Sequence, residues 1–403
     1  MSLTRKQFLM TLGTGVFAAG LPRSGSPSPK LGQALAEARK LRISDVEIFR
    51  FDLPLDQPFR ISIGTMNAAN DVLVRVKTDA GLAGVGEACP FPPITGETQE
   101  TNLSMAKSIR EMIVGKDPLA IEAILKEIGT ILHTNPSIVA AYDMALLDIL
   151  GKAAGLPLFR LLGGDRTSLE TDITAGLDTP ENMARRCRGF IEEGYRIIKI
   201  KVGQEPALDV ARLEAVREAV GPGIPLRIDA NQGWTTPQAI TALRRMEKIG
   251  IEFVEQPVAA WDLAGMWAVR AESPIAVMAD ESLFLPADAL KLVKAEACDY
   301  FNIKLMKSGG ITNSLKISHV AESANIRCMV GCMLESRVAL TAAAHLAAAR
   351  SNIIFADLDG NSEHKVDPVI GGIGVKGGTI TLPEKPGLGL DVDPAFLEKM
   401  GRV

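Results

Sequence analysis

The sequence predicts an α/β protein: a (β/α)8 TIM-like barrel joined to an α+β capping domain. Three observations lead there. Val46 and Ile48, then Val72, Val74 and Val76, recur at every second position, as half-buried antiparallel strands do. Stretches with apolar residues three and four apart follow at 98–113, 118–132 and 137–151. Beyond residue 165, eight short runs rich in β-branched or aliphatic residues alternate with helical segments over about 200 residues.

The first forty residues stand apart. Arg5 and Lys6 precede an apolar run from Phe8 to Leu21, then a Pro/Ser/Gly stretch and the small-residue site Ala34-Leu35-Ala36. That run is too short to span a bilayer, so residues 1–41 read as an export signal and linker. Thr4-Arg5-Lys6-Gln7-Phe8-Leu9 resembles a twin-arginine signal with Lys6 in place of the second arginine. The expected location is the periplasm. A frayed terminus on a cytoplasmic protein is the alternative.

Residues 42–165 form the expected capping domain. Its strands turn at Asp79-Ala80-Gly81, and Leu158-Phe-Arg-Leu-Leu-Gly-Gly164 closes it. Residues 166–371 form the barrel, with strands expected at 169–174, 197–201, 226–229, 253–255, 277–280, 300–304, 328–332 and 354–357. An open doubly wound sheet is the structural alternative, but eight units at so regular a pitch favour closure. Gly371-Gly-Ile-Gly374 precedes no helix start and reads as a turn back to the cap, which residues 372–403 complete. Trp261 and Trp267 are expected to pack on the helix after the fourth strand.

Composition removes several function classes. A net charge of -4 and 5% aromatic residues offer neither a polybasic face nor a base-stacking platform, so neither nucleic acid nor a membrane is an expected partner. Five cysteines make no disulfide framework, and His133, His319, His345 and His364 show no paired spacing for zinc. Leu- and Ala-rich helix faces suit a homo-oligomer.

The chemistry lies at the strand ends. Lys199 with Lys201, Asp229, Glu255, Asp280, Lys304, and Asp357 with Asp359 fall at the same phase of successive units. Intervals of 28, 26, 25 and 24 residues separate Lys201, Asp229, Glu255, Asp280 and Lys304. In a parallel barrel all these ends open on one mouth, where catalysis occurs. Asp229, Glu255 and Asp280 on three adjacent strands would repel one another without a cation. An all-oxygen set suits Mg2+. Asn231, two residues past Asp229, is placed to hydrogen-bond those ligands.

Lys201 and Lys304 end the second and sixth strands, on opposite sides of the mouth. Strand alternation points Lys199 and Lys201 the same way and Ile200 outward. Two bases facing each other across a metal-bound carboxylate remove an α-proton from one face and return one to the other, with the cation stabilising the enediolate between. For this, burial and neighbouring positive charge must lower a lysine's proton affinity, and Lys199 supplies such a charge beside Lys201.

These residues also carry a resemblance. From Glu47 onward the chain resembles the enolase superfamily, in its muconate-lactonizing (mandelate racemase/muconate lactonizing enzyme) subgroup. Ile198-Lys-Ile-Lys-Val-Gly203 resembles the first-base motif. Arg227-Ile-Asp-Ala-Asn-Gln-Gly-Trp234, Val254-Glu-Gln-Pro257 and Met278-Ala-Asp-Glu-Ser282 resemble the metal-ligand motifs, and Asn302-Ile-Lys-Leu-Met-Lys-Ser-Gly-Gly310 the second-base motif. The resemblance implies that cap loops close the barrel mouth.

Within the subgroup, Asp357-Leu-Asp359 is similar to the Asp-x-Asp motif of dipeptide epimerases, and two carboxylates there suit a substrate ammonium group. The resemblance extends to Met329-Val-Gly-Cys-Met-Leu-Glu-Ser336. It implies that Cys332 lines the substrate channel and that Thr174 donates a hydrogen bond to the peptide. The implied activity is magnesium-dependent inversion of the C-terminal residue of a dipeptide. In Pro58-Phe-Arg-Ile-Ser-Ile-Gly-Thr-Met66, Gly64 stands where relatives acting on Ala-Glu carry an arginine. A neutral or hydrophobic second residue is therefore expected, with Ala-Glu open through Arg60. The alternatives are N-acylamino-acid racemisation, o-succinylbenzoate synthesis or muconate cycloisomerisation in the same subgroup, and, outside enzymes, an exported peptide-binding protein.

Overall fold

The computed structural model describes residues 41–62 and 64–403, so the expected export signal lies outside the described residues apart from Leu41. The cap begins with an antiparallel meander of β1 (Ile43–Ile61), β2 (Gly64–Thr78) and β3 (Ala83–Ala88). The alternating residues Val46, Ile48, Val72, Val74 and Val76 are all buried. After a single turn of helix at Pro92–Thr95, three longer helices follow, α1 (Gln99–Ile113), α2 (Ile121–Ile131) and α3 (Pro136–Ala154). Thr98 starts α1 by accepting from the Thr101 N–H. Two glycines let α3 lie against β3. A Cβ at Gly84 would stand 2.0 Å from Ala145 O, and one at Gly86 1.9 Å from Ala141 O.

Eight parallel strands then pair in chain order: Ile173–Ala175, Ile198–Lys201, Leu226–Asp229, Ile251–Glu255, Ala276–Ala279, Tyr300–Lys304, Arg327–Gly331 and Ile353–Asp357. A hydrogen bond from Asp172 N–H to Ala356 O (3.3 Å) brings the eighth strand against the first, and helices intervene around the ring. Several of those helices begin on a proline, as at Pro180, Pro206 and Pro286, where a missing N–H costs nothing.

Two expectations need correcting. The run 169–174 is two strands, not one. Ser168–Glu170 pairs antiparallel with Thr379–Thr381, and only Ile173–Ala175 enters the barrel. The break falls at Thr171 and Asp172, which turn inward: Thr171 Oγ1 accepts from Leu358 N–H at 2.8 Å, and Asp172 pairs with Arg227 at 2.8 Å. Trp261 and Trp267 do not pack. Trp261 precedes the helix Leu263–Glu272 and is 84% exposed, while Trp267 is 51% exposed because Gly265, Met266 and Val269 form that helix's buried stripe.

The C-terminal segment packs against the first strand of the cap. Phe396, in the helix Pro394–Met400, meets Phe51 of β1 edge-on at 5.8 Å, and Val403 N–H donates to Ile48 O at 2.9 Å. His345 ties three segments together. It is buried, its Nδ1 accepts from Phe159 N–H at 3.0 Å, and its Nε2 lies 3.3 Å from Leu388 O. Burial pushes its pKa down to about 4, so it is a neutral packing residue.

The backbone contact between β3 and α3 gives a direct test. Gly86→Ala is expected to destabilise the protein by about 3 kcal/mol, because the strand must lift off the helix. Gly129→Ala in α2, where a Cβ meets nothing within 4 Å, is expected to be neutral or stabilising by up to about 1 kcal/mol. Urea unfolding of both variants checks this; equal midpoints would contradict it.

Candidate active site and metal centre

Six of the eight barrel strands carry charged residues to the same end. Lys199 and Lys201 alternate with Ile198 and Ile200 on the second strand, so both lysines face inward. Asp229 and Glu255 close the third and fourth strands, Asp280 follows the fifth, Lys304 closes the sixth and Asp357 the eighth. All of these are buried. One oxygen from each of Asp229, Glu255 and Asp280 lies within 4.8 Å of the others. The sequence-predicted ligands are therefore brought together.

Lysines stitch this cluster. Lys199 Nζ lies 2.8 Å from Glu255, 2.8 Å from Asp357 and 3.2 Å from Asp229. Lys201 Nζ lies 2.6 Å from Asp229, and Lys304 Nζ 3.0 Å from Asp280. Burial favours neutral amines, but the surrounding carboxylates outweigh it and hold Lys199 and Lys304 well above the usual lysine range. Without a cation, the lowered proton affinity expected for a base is thus reversed at Lys304. Burial raises every acid too, yet the lysines pull Asp229 and Asp280 below the ordinary range, while burial and Asp229 leave Glu255 at about 7.

The donor set fits a hard divalent cation. It is all oxygen, fully buried and shared by three strands. Glu255 Oε2 accepts no hydrogen bond, because Lys199 approaches it off the hydrogen-bonding direction. Asn231 N–H donates to Asp229 Oδ1 at 2.9 Å and its Nδ2 to Glu281 at 3.1 Å, the supporting place read from the sequence.

The Asp357-Leu-Asp359 rim is not symmetric. Asp357 is drawn on to Lys199, which brings it down to about 2 against the effect of burial. Asp359 is raised to about 6 by burial and by Asp357. Its Oδ2 accepts from Thr174 N–H at 2.7 Å, and Cys332 Sγ lies 3.7 Å from Oδ1. Thr174 thus spends its backbone donor on Asp359.

A narrow cavity of about 30 Å³ lies over the lysines and is roofed by Phe59, Ile61, Phe91 and Ile94 of the cap. Thr174, Cys332, Asp357 and Asp359 also line it. Phe59, Thr174, Met333 and Asp359 separate it from an outer chamber of about 290 Å³. Arg60 borders only the outer chamber. The cap segment is held down by Ser62 Oγ, 3.0 Å from the carbonyls of Ala230 and Asn231, and by Asp56 N–H on Glu363 O at 2.8 Å.

Sequence reasoning missed three supports of the cage. Asn302 Nδ2 donates to Glu255 Oε1 at 2.7 Å. Gln256 Oε1 accepts from Asp280 N–H at 2.9 Å. Lys307 Nζ, wholly buried, bonds the Asp280 carboxylate and carbonyl. Each lies inside a motif already noted, and Asn302 stands two residues before Lys304, on the same strand face.

Comparison with known proteins follows the same division. Residues 43–163 match the mandelate racemase/muconate lactonizing enzyme N-terminal domain family, and residues 182–396 match the enolase C-terminal domain-like family. The chain is 45% identical over 352 residues to an L-Ala-D/L-Glu epimerase of Clostridium acetobutylicum, covering 87% of this chain and 98% of that protein. It is 42% identical to a hydrophobic dipeptide epimerase of Enterococcus faecalis, covering 87% and 99%. A Cytophaga hutchinsonii dipeptide epimerase solved with Mg and D-Ala-L-Val superposes with a TM-score of 0.88 at 38% identity, covering 90% of this chain and 99% of that one. The chain belongs to the mandelate racemase/muconate lactonizing enzyme family of the enolase superfamily.

Because ammonium groups alone balance the buried carboxylates, Lys199→Met is expected to cost about 3–5 kcal/mol in metal-free protein. Mg2+ at a hundred times its Kd is expected to stabilise the wild type by about 2.7 kcal/mol, and not Asp280→Asn. Thermal unfolding with and without Mg2+ and EDTA checks both; a Mg2+ shift unchanged in Asp280→Asn would place the ion elsewhere.

Proposed function

We propose that this chain is a magnesium-dependent dipeptide epimerase that inverts the α-carbon of the C-terminal residue, with a neutral or hydrophobic side chain there. One observation carries the reading: Lys201 and Lys304 rise from the second and sixth strands on either side of the Asp229–Glu255–Asp280 cluster, in the same cavity as Asp359.

Magnesium, held by Asp229, Glu255 and Asp280, would supply positive charge for the dipeptide's carboxylate. The chain's own residues do the rest. Lys201, as the free amine, takes the α-proton from one face, and Lys304, as the ammonium, returns a proton to the other. In the reverse direction the two exchange roles. Lys199 stays charged between Asp357, Glu255 and Asp229 and fixes the position of the carboxylates around it. Asp359, with Asp357 behind it, accepts from the substrate ammonium, and Thr174 holds Asp359 in place. Cys332 lines the channel beside them.

Specificity follows from the lid. Phe59, Ile61, Phe91 and Ile94 present no charge to the inner cavity, and Arg60 faces the outer chamber. An acidic second side chain would meet no cation from the lid, so apolar or neutral residues suit the roof. A negative rim disfavours N-acylated substrates, whose acyl group carries no ammonium. Export, read from residues 1–41, belongs to the same proposal.

Incubation of pooled dipeptides in deuterated water with Mg2+ tests the reaction by mass spectrometry. Wild type is expected to place one deuterium at the C-terminal α-carbon of hydrophobic dipeptides and to form both epimers. Lys201→Ala and Lys304→Ala should each lose inversion, with any residual exchange confined to one epimer. No incorporation into any dipeptide would refute the proposal.

The rim predicts a pH dependence. Asp359 carries its charge above about pH 6 and loses it below. KM is therefore expected to rise about ten- to a hundredfold as pH falls through that value. Asp359→Asn should have the high KM throughout and no such limb; an unchanged limb in that variant would assign it to another group.

A further inference from the structure

Neighbouring barrel strands are joined by parallel ladders, but the sheet order runs from the first strand to the eighth without pairing those two ends among the described residues. Asp357 and Asp359 stand on the eighth-strand side of that seam. Three residues close it instead. Asp172 N–H donates to Ala356 O at 3.3 Å, and Arg227 Nη1 donates to the same carbonyl at 3.3 Å. Thr171 Oγ1 accepts from Leu358 N–H at 2.8 Å and donates to Asp172 O at 3.1 Å. The two peptide groups that bracket Asp357 are thus both fixed, one by Asp172 and Arg227, the other by Thr171.

These residues are buried, and none of them lines the inner cavity over the lysines. Arg227 is itself held rigidly. Its guanidinium pairs with Asp172 at 2.8 Å and Glu252 at 2.9 Å, and lies 4.7 Å from the Phe355 ring centroid and 5.3 Å from that of Phe253. One planar fork on the third strand therefore reaches the first, fourth and eighth. Desolvation offsets much of the attraction in a buried ion pair, so stability alone is a poor reason for one here, and fixed geometry a better one. We infer that Thr171, Asp172 and Arg227 are positioning residues for the ammonium rim: they set where the Asp357 and Asp359 carboxylates stand without touching substrate. The inference rests on the epimerase reading. A displaced rim loses its charge-assisted bonds to the substrate ammonium, while the metal ligands on the third to fifth strands keep their places. The loss therefore falls on KM rather than kcat.

Epimerisation kinetics of the full chain with Mg2+ and a hydrophobic dipeptide test this. Thr171→Val keeps the shape and removes the hydroxyl, Thr171→Ser keeps the hydroxyl, and Arg227→Lys keeps the charge without the fork. Thr171→Val is expected to raise KM about tenfold with kcat within about twofold of wild type, and Arg227→Lys to raise KM about three- to tenfold. Thr171→Ser should stay within about twofold of wild type. In an Asp359→Asn background, where the rim carboxylate is already lost, Thr171→Val should add less than about twofold. A merely structural role would lower kcat as well, weaken the Mg2+ shift in unfolding, or multiply KM by one factor with or without Asp359. Any of those results would overturn the inference. So would a wild-type KM in both Thr171→Val and Arg227→Lys, or a KM in Thr171→Ser as high as in Thr171→Val. Wild type that places no deuterium in any dipeptide would overturn the epimerase reading and this inference with it, so activity of the wild type tells the two failures apart.

Discussion

The structure depends on charge balance in a space that admits almost no water. Lys199, Lys201, Lys304 and Lys307 are enclosed with Asp229, Glu255, Asp280 and Asp357 at the barrel mouth. Written with every group charged, four positive charges meet four negative ones. Any single charge of that set would be prohibitive alone, since desolvating it costs several kcal/mol. The cap roof, the strand register and the loop after each strand all serve to keep these eight groups together. The balance also explains why Lys199 and Lys304 hold their protons so firmly here. A divalent cation and a substrate carboxylate together add one net positive charge to a neutral cage. Release of one ammonium proton would restore neutrality and leave one amine among the four lysines.

The barrel and most of this cage were legible in the sequence because parallel β/α units repeat at nearly constant length. Lys201, Asp229, Glu255, Asp280 and Lys304 could be counted from one another without knowing the fold in detail. What was not legible was direction. Nothing in the order of residues 169–174 shows that Thr171 and Asp172 turn inward on to Leu358 and Arg227 and so split one strand into two. The asymmetry of Asp357 and Asp359 was hidden for the same reason: Lys199, 158 residues away, claims one carboxylate and not the other. Lys307 sits in a motif but three residues beyond Lys304, on a short helix whose turn could not be placed by strand alternation. Trp261 and Trp267 were misread because a large aromatic residue predicts burial only when the helix phase around it is known.

The two chambers divide the work of recognition. The inner one offers lysines and carboxylates below and four apolar side chains above. The outer one holds Arg60, Asp178, Arg186 and Glu363, and Arg186 pairs with Glu363 across it. Asp359 lies on the boundary and borders both. A carboxylate there is partly desolvated, yet it stays next to the outer chamber.

The lid and the metal ligands meet at one loop. Asn231 and Gln232 adopt left-handed backbone conformations, φ 40° and 67°, which non-glycine residues seldom do. That turn aims the Asn231 N–H at Asp229 and its side chain at Glu281. It also leaves the carbonyls of Ala230 and Asn231 facing the cap, where Ser62 Oγ reaches both. The strained turn is thus held from two sides, by a ligand carboxylate below and by the lid above. One turn thus touches both Asp229 and the cap segment whose Phe59 and Ile61 cover the lysines, so the ligand carboxylate and the roof share a single support.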